Sequence, residues 1–205
     1  RTLTDFFSWH IALGGIGLLC VAVSIWFWFS LPESKHFSPQ KPLMKEIIPV
    51  LSKNLHHTSL LSLNIIGFII MGSFVPTYNY IGSSLMAAPY YLSQTLVGCI
   101  FIVYLVGTFS STYMGAVADS IGSAKTLCLG IGIMIAGCLI SLHGNLYVKI
   151  MGVAILTFGF FGSHSVASSW VGKCALSHKA QASSLYLLFY YLGASVLGTL
   201  GGKFL

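Results

Sequence analysis

Six apolar runs constrain this chain more than any other feature. They lie at about 9–31, 60–80, 94–114, 126–142, 148–171 and 184–204. An α-helix rises about 1.5 Å per residue, so about 20 mostly apolar residues bridge the hydrocarbon core of a bilayer. The fourth run is short and borrows from its flanks. No run alternates in the manner of a barrel strand. Backbone groups in lipid must find partners within their own segment, which leaves helices. Only 7% of the residues are charged, against roughly 25% in a soluble domain. The expectation is an all-α, polytopic membrane protein with six transmembrane helices.

The gaps between the runs carry most of the polar information. The first run ends in Trp26-Phe27-Trp28-Phe29, then Leu31-Pro32-Glu33. Aromatics suit the water–lipid boundary, and proline stops a helix. The longest gap, 32–59, repeats Leu43, Met44, Ile47, Ile48, Leu51 and Leu55 at helical spacing. It predicts an amphipathic helix on the membrane surface, bent at Pro49, with a soluble linker helix as the alternative. With this gap in the cytoplasm, Lys35, Lys41, Lys45, Lys53, Lys125, Lys173 and Lys179 fall inside. Arg1, Lys149 and Lys203 fall outside. Seven against three agrees with the positive-inside rule.

A short polar joint at 115–125 separates the third run from the fourth. Gly115, Asp119 and Gly122 stand at the spacing G-x-x-x-D-x-x-G, followed by Lys125, and Asp119 is the last acid in the chain. Gly115 would let one helix end approach a neighbour. Asp119 would accept from free backbone N–H groups at a positive helix end. Gly122 would supply a positive φ, and Lys125 would anchor the next helix. The plainer reading is an ordinary turn that carries an Asp. Rows of small residues four apart occur at Gly107, Ser111 and Gly115, at Gly132 and Ala136, at Gly137 and Ser141, and at Ala194, Gly198 and Gly202. Such rows predict helix–helix seams.

On a cytoplasmic connection between two spans, this joint resembles the signature loop of the major facilitator superfamily, in the copy between helices eight and nine. Further stretches are similar to its drug:proton antiporter and sugar-efflux-like branch. They are Leu31-Pro32-Glu33-Ser34, Tyr104-Leu105-Val106-Gly107, His164-Ser165-Val166-Ala167-Ser168-Ser169-Trp170, Gln181-Ala182-Ser183-Ser184-Leu185-Tyr186 and Tyr190-Tyr191-Leu192-Gly193. The resemblance implies a partial major facilitator fold with helices six to eleven of twelve. Residues 1–31 would end the N-terminal bundle, 32–59 would be the cytoplasmic link with its amphipathic helix, and 60–205 would supply five of the six C-terminal helices. Arg1 in place of Met fits an internal start. The missing N-terminal bundle of the same protein would then be a partner. The family's proton-coupling acids lie in that half, and none is carried over. Where the family loop is commonly basic, this chain has Ser120, Ser123 and Ala124. A gating contact made by those basic residues has no counterpart here.

The resemblance implies a secondary active transporter, in fragment, for proton-coupled efflux of a small organic solute by alternating access. It would be multi-pass in a bacterial inner membrane, without cofactor or metal, and inactive alone as truncated. Polar or aromatic groups within the spans are the pathway candidates: Asn64, Tyr104, His164, Ser168, Tyr186 and Tyr190. His164 is the one Asp, Glu, Lys, Arg or His well inside a span. Such a residue is a functional candidate because an unpaired charge there is unfavourable. Imidazole titrates near neutrality in water, so proton relay is chemically open to it. A neutral ring hydrogen-bonded to a neighbouring helix is the alternative, and the tyrosines serve equally as packing or boundary anchors.

Other function classes find less support. Neighbours on a helix point about 100° apart, so His164 does not face Ser165 as a base for a nucleophile. No acid lies in a span to orient it, and G-x-S-x-G is absent. His56-His57 lacks third and fourth metal ligands, and Cys20, Cys99, Cys128, Cys138 and Cys174 show neither metal spacing nor a disulfide framework. The net charge of +6 forms no basic stripe for nucleic acid. A non-transporting membrane subunit or a channel-like six-helix protein remains the alternative, although no filter-like sequence supports a pore.

Overall fold

The structure, a computed structural model, describes residues 9–32, 44–175 and 177–201. The chain divides into two units, Arg1–Pro42 and Leu43–Leu205. The first unit contains helix α1, Trp9–Ser30. Its apolar residues run round the whole circumference, as a span requires. Leu31 N–H closes the last turn on the Phe27 carbonyl, and Pro32 follows. Trp26, Phe27, Trp28 and Phe29 are all exposed, consistent with boundary aromatics.

The second unit begins with α2, Met44–His56, which contains Pro49. It packs against the starts of α3 and α8, and Ile48 points outward. Helix α3 spans Thr58–Met86, two turns beyond the predicted 60–80. The extension follows from the uncharged Ile81–Met86 stretch, in which Leu85 is fully buried. Ser93 caps α4, Gln94–Cys99, by accepting from Leu96 N–H. A 3₁₀ stretch, Ile100–Val103, joins α4 to α5, Tyr104–Ile121, so the third span is one rod with a tightened turn. Helix α6, Ser123–Ser141, follows after Gly122 alone. Asn145 caps α7, Leu146–Cys174, through Tyr147 N–H and Val148 N–H. Helix α8 is Lys179–Gly201. Among the described residues six helical segments are long and apolar enough to cross a membrane, and none forms a strand.

Helix α7 is central to the second unit and touches α3, α5, α6 and α8. The α6–α7 seam is made by glycines facing backbone. A Cβ on Gly137 would strike Leu156, one on Gly152 would strike Ser141, and one on Gly159 would strike Met134. Between α3 and α8, a Cβ on Gly193 would strike the Phe68 carbonyl. Serines hold α5 to α7: Ser110 donates to the Phe158 carbonyl, and Ser165 donates to the Ser111 carbonyl at 3.3 Å. The expected row Gly107, Ser111 and Gly115 meets α7 through Gly107 and Ser111, but two members of the expected rows make no contact. Gly115 and Gly132 have nothing within reach of an added Cβ. The predicted alternation of sides agrees with which ends meet. Tyr90 donates to the Gly144 carbonyl at one end, while Asp119 meets Lys173 at the other.

Candidate functional site

Three helices each place two rings on one face through an i, i+4 pair. These are Phe74 and Tyr78 on α3, Phe160 and His164 on α7, and Tyr186 and Tyr190 on α8. Tyr104, at the start of α5, completes the set. The rings form a continuous column. Tyr104 stacks on Tyr78 with centroids 4.9 Å apart. Tyr78 meets Phe74 at 4.7 Å, and Phe74 stacks on Phe160 at 3.8 Å and 10°. Phe160 lies parallel to His164 at 6.3 Å and 9°. His164 meets Tyr190 at 4.5 Å, and its Nδ1 is hydrogen-bonded to the Tyr186 hydroxyl at 3.0 Å.

Burial differs from ring to ring in this column. Tyr186 and Phe160 are almost wholly enclosed, whereas Tyr104 and His164 are half-buried. The ring of Tyr186 lies where a Cβ on Gly67 would be, so a glycine on α3 makes room for the partner of His164. Tyr78 shares a hydrogen bond with the Thr157 hydroxyl, and Thr157 also donates to the Val153 carbonyl at 2.7 Å. Ring faces carry partial negative charge and attract cations or stack on flat groups. His164 and Ser165 turn to different neighbours, Tyr186 and Ser111 respectively, as helical geometry requires.

Of the candidates read from the sequence, Tyr104, His164, Tyr186 and Tyr190 come together. Ser168 is one turn beyond His164 on the same face of α7. Asn64, on the buried face of α3, is 1% exposed, with Oδ1 lacking a protein partner. The sequence reading missed Phe74, Phe160 and Thr157. It also ended the second run near residue 80 and did not single out Tyr78, which is buried within α3. The repeated i, i+4 spacing of rings on three helices was the available signal.

The joint departs in part from expectation. Gly122 has φ of +92° and marks the reversal, as predicted. Asp119 lies in the last turn of α5, and its partner is the Lys173 ammonium at 3.5 Å. It faces a side-chain cation instead of capping backbone N–H groups. Among the described residues nothing stands within 4 Å of a Cβ added at Gly115, so the close approach expected there is not made within them. Lys125 is exposed and shares a cleft with Trp170 and Lys173.

A family model for the Major Facilitator Superfamily matches residues 2–198. The chain belongs to the major facilitator superfamily. It is 48% identical over 202 residues to an uncharacterized MFS-type transporter, YybF, of Bacillus subtilis, covering 98% of this chain and 50% of the relative. It is 43% identical over 201 residues to the inner membrane transport protein YnfM of Escherichia coli, covering 98% and 48%. It is 41% identical over 202 residues to a transporter of Buchnera aphidicola, covering 98% and 49%. This major facilitator chain therefore spans about half the length of these relatives. No solved structure gives a significant match. Membership and the six apolar helices make it a multi-pass membrane protein of a transporter family.

Proposed function

We propose that this chain is one jaw of a proton-coupled exporter of small organic solutes in a bacterial inner membrane, working by alternating access. Helix α1 ends one bundle, α2 belongs to the cytoplasmic link, and α3 to α8 supply five of the six helices of the other bundle. The chain covers half of relatives named as transporters, which supports this division. Facilitator-type carriers bind solute near the midplane between two such jaws.

The observation that carries the reading is His164. It is a half-buried imidazole deep in α7, tied to the Tyr186 hydroxyl and flanked by Tyr190 in the aromatic column. A titratable ring in a span is functional by default. In this reading His164 relays a proton while Tyr104, Tyr186 and Tyr190 receive the flat or cationic part of the solute. Asn64 and Ser168 offer polar contacts along the same pathway. Gly115, Asp119, Gly122 and Lys125 form the cytoplasmic joint, where breaking the Asp119–Lys173 pair would accompany a change of access.

The test is a resistance screen across toxic organic compounds with the full-length protein carrying this sequence. We expect protection against at least one compound, abolished by a protonophore and by His164→Ala. Protection that persists in His164→Ala with unchanged proton dependence removes the histidine from the relay. In proteoliposomes the 205-residue chain alone is expected to give no saturable flux, because it supplies only one wall. Saturable, proton-dependent uptake by that chain would contradict the two-jaw reading.

A further inference from the structure

We propose that the cytoplasmic cleft between α2, the start of α3 and the α7–α8 turn binds a phosphate group, from either a phospholipid headgroup or free phosphate. The cleft has a volume of about 250 Å³ and is bordered by Lys53, Asn54, His57, Ser177 and His178. All of these belong to the second unit. Asn54 is the decisive residue. It is 8% exposed, and its amide Nδ2 is buried with no acceptor. A buried donor left unpaired is unfavourable, and a turn of the Asn54 side chain toward the cleft would give it an anion as its acceptor.

The surroundings select for negative charge. Lys53 brings an ammonium and is exposed at the rim. Among the described residues no carboxylate borders the cleft. Helices α3 and α8, of 29 and 23 residues, both begin here without an acid in the first turn. His57, at the head of α3, makes no capping hydrogen bond with its side chain. The positive ends of two helix dipoles therefore converge on the cleft, and backbone N–H groups there suit phosphate oxygens. The neighbouring His56 is bound to the Ser52 carbonyl at 2.7 Å and stays outside the set. The cleft also lies on the lysine-rich side, where anionic headgroups gather near basic segments. This inference is independent of solute export and of His164.

The test compares phosphatidic acid with diacylglycerol of the same tails, which differ only in the phosphate. Native mass spectrometry of the 205-residue chain should retain one phosphatidic acid under activation that strips diacylglycerol. The double variant Lys53→Gln, Asn54→Leu should bind it about tenfold more weakly. Lys125→Gln, a lysine on the same side and outside the cleft, should bind as the parent does. In parallel, thermal unfolding is followed in inorganic phosphate and in chloride at equal ionic strength. A raised midpoint in phosphate that the double variant loses identifies free phosphate as a ligand, and discrimination confined to the lipid arm identifies the headgroup. Lys53→Gln alone, at an exposed position, serves if the double variant loses its helical circular dichroism. Equal retention of the two lipids together with equal midpoints in the two salts overturns the proposal. Unchanged phosphatidic acid binding by a folded Lys53 variant overturns it as well.

Discussion

Two regions of the second unit solve helix packing in opposite ways. Between α6 and α7, Gly137, Gly152 and Gly159 remove side chains altogether, and backbone meets backbone. Among α3, α5, α7 and α8, the space is filled with rings, from Tyr104 through Phe74 and Phe160 to His164 and Tyr190. The first arrangement has no flexible atom that can yield. The second is made of side chains that can turn about χ angles, and it holds the titratable group. Helix α7 carries both, with one face fixed against α6 and the other presenting the column.

The contrast can be broken most severely at the glycine seam. Gly137→Leu would drive a side chain into the backbone of Leu156. The loss should exceed the ~1–3 kcal/mol usual for overpacking, since the obstacle cannot rotate away. Gly132→Leu, where nothing stands within 4 Å, should leave the midpoint of unfolding in mixed detergent nearly unchanged. Equal damage at both positions would remove the distinction between seam and lipid face. Phe160→Ala comes next. It removes the ring stacked on Phe74, and a loss of about 2 kcal/mol is expected by the same measurement. That lies below the ~3–5 kcal/mol of a soluble core because lipid is as apolar as the site, leaving mainly lost packing.

Two finer substitutions sharpen the comparison. Tyr186→Phe removes the hydroxyl that meets His164 while keeping the ring over Gly67. Stability should fall by only ~0.6 kcal/mol, the usual size of an interhelical hydrogen bond in a membrane protein. The imidazole proton exchange seen by nuclear magnetic resonance should change far more than stability does. A large stability loss with unaltered exchange would make the contact purely structural. Gly115→Ala should have the smallest effect and the opposite sign. It meets open space inside α5, so stability should rise by up to ~1 kcal/mol through helix propensity alone. A loss there would reveal a contact at the joint.

The spans were legible because length and apolarity settle whether a segment crosses lipid. The errors at their ends follow from the same cause. Residues 81–86 of α3 are uncharged, so composition could not tell an emerging loop from two more helical turns. Gly122 was readable as the turn, because glycine readily adopts the positive φ of a tight reversal. Asp119 was misread as a backbone cap, since its partner, Lys173, is remote in sequence. The histidine and three tyrosines stood out as polar groups in apolar runs. Phe74 and Phe160 did not, because phenylalanine is ordinary in a span, and only their stacking on one another distinguishes them.

The order of residues alone determined six helices long and apolar enough to cross a membrane and the family to which they belong. Only the tertiary structure decided which faces turn inward. In water, an amphipathic stripe would have marked the buried side of each helix. In lipid, both sides of these helices are apolar, and hydrophobicity no longer separates inside from outside. Shape takes over that task. Gly137 is a seam and Gly132 is not because Leu156 stands opposite the first and nothing stands opposite the second.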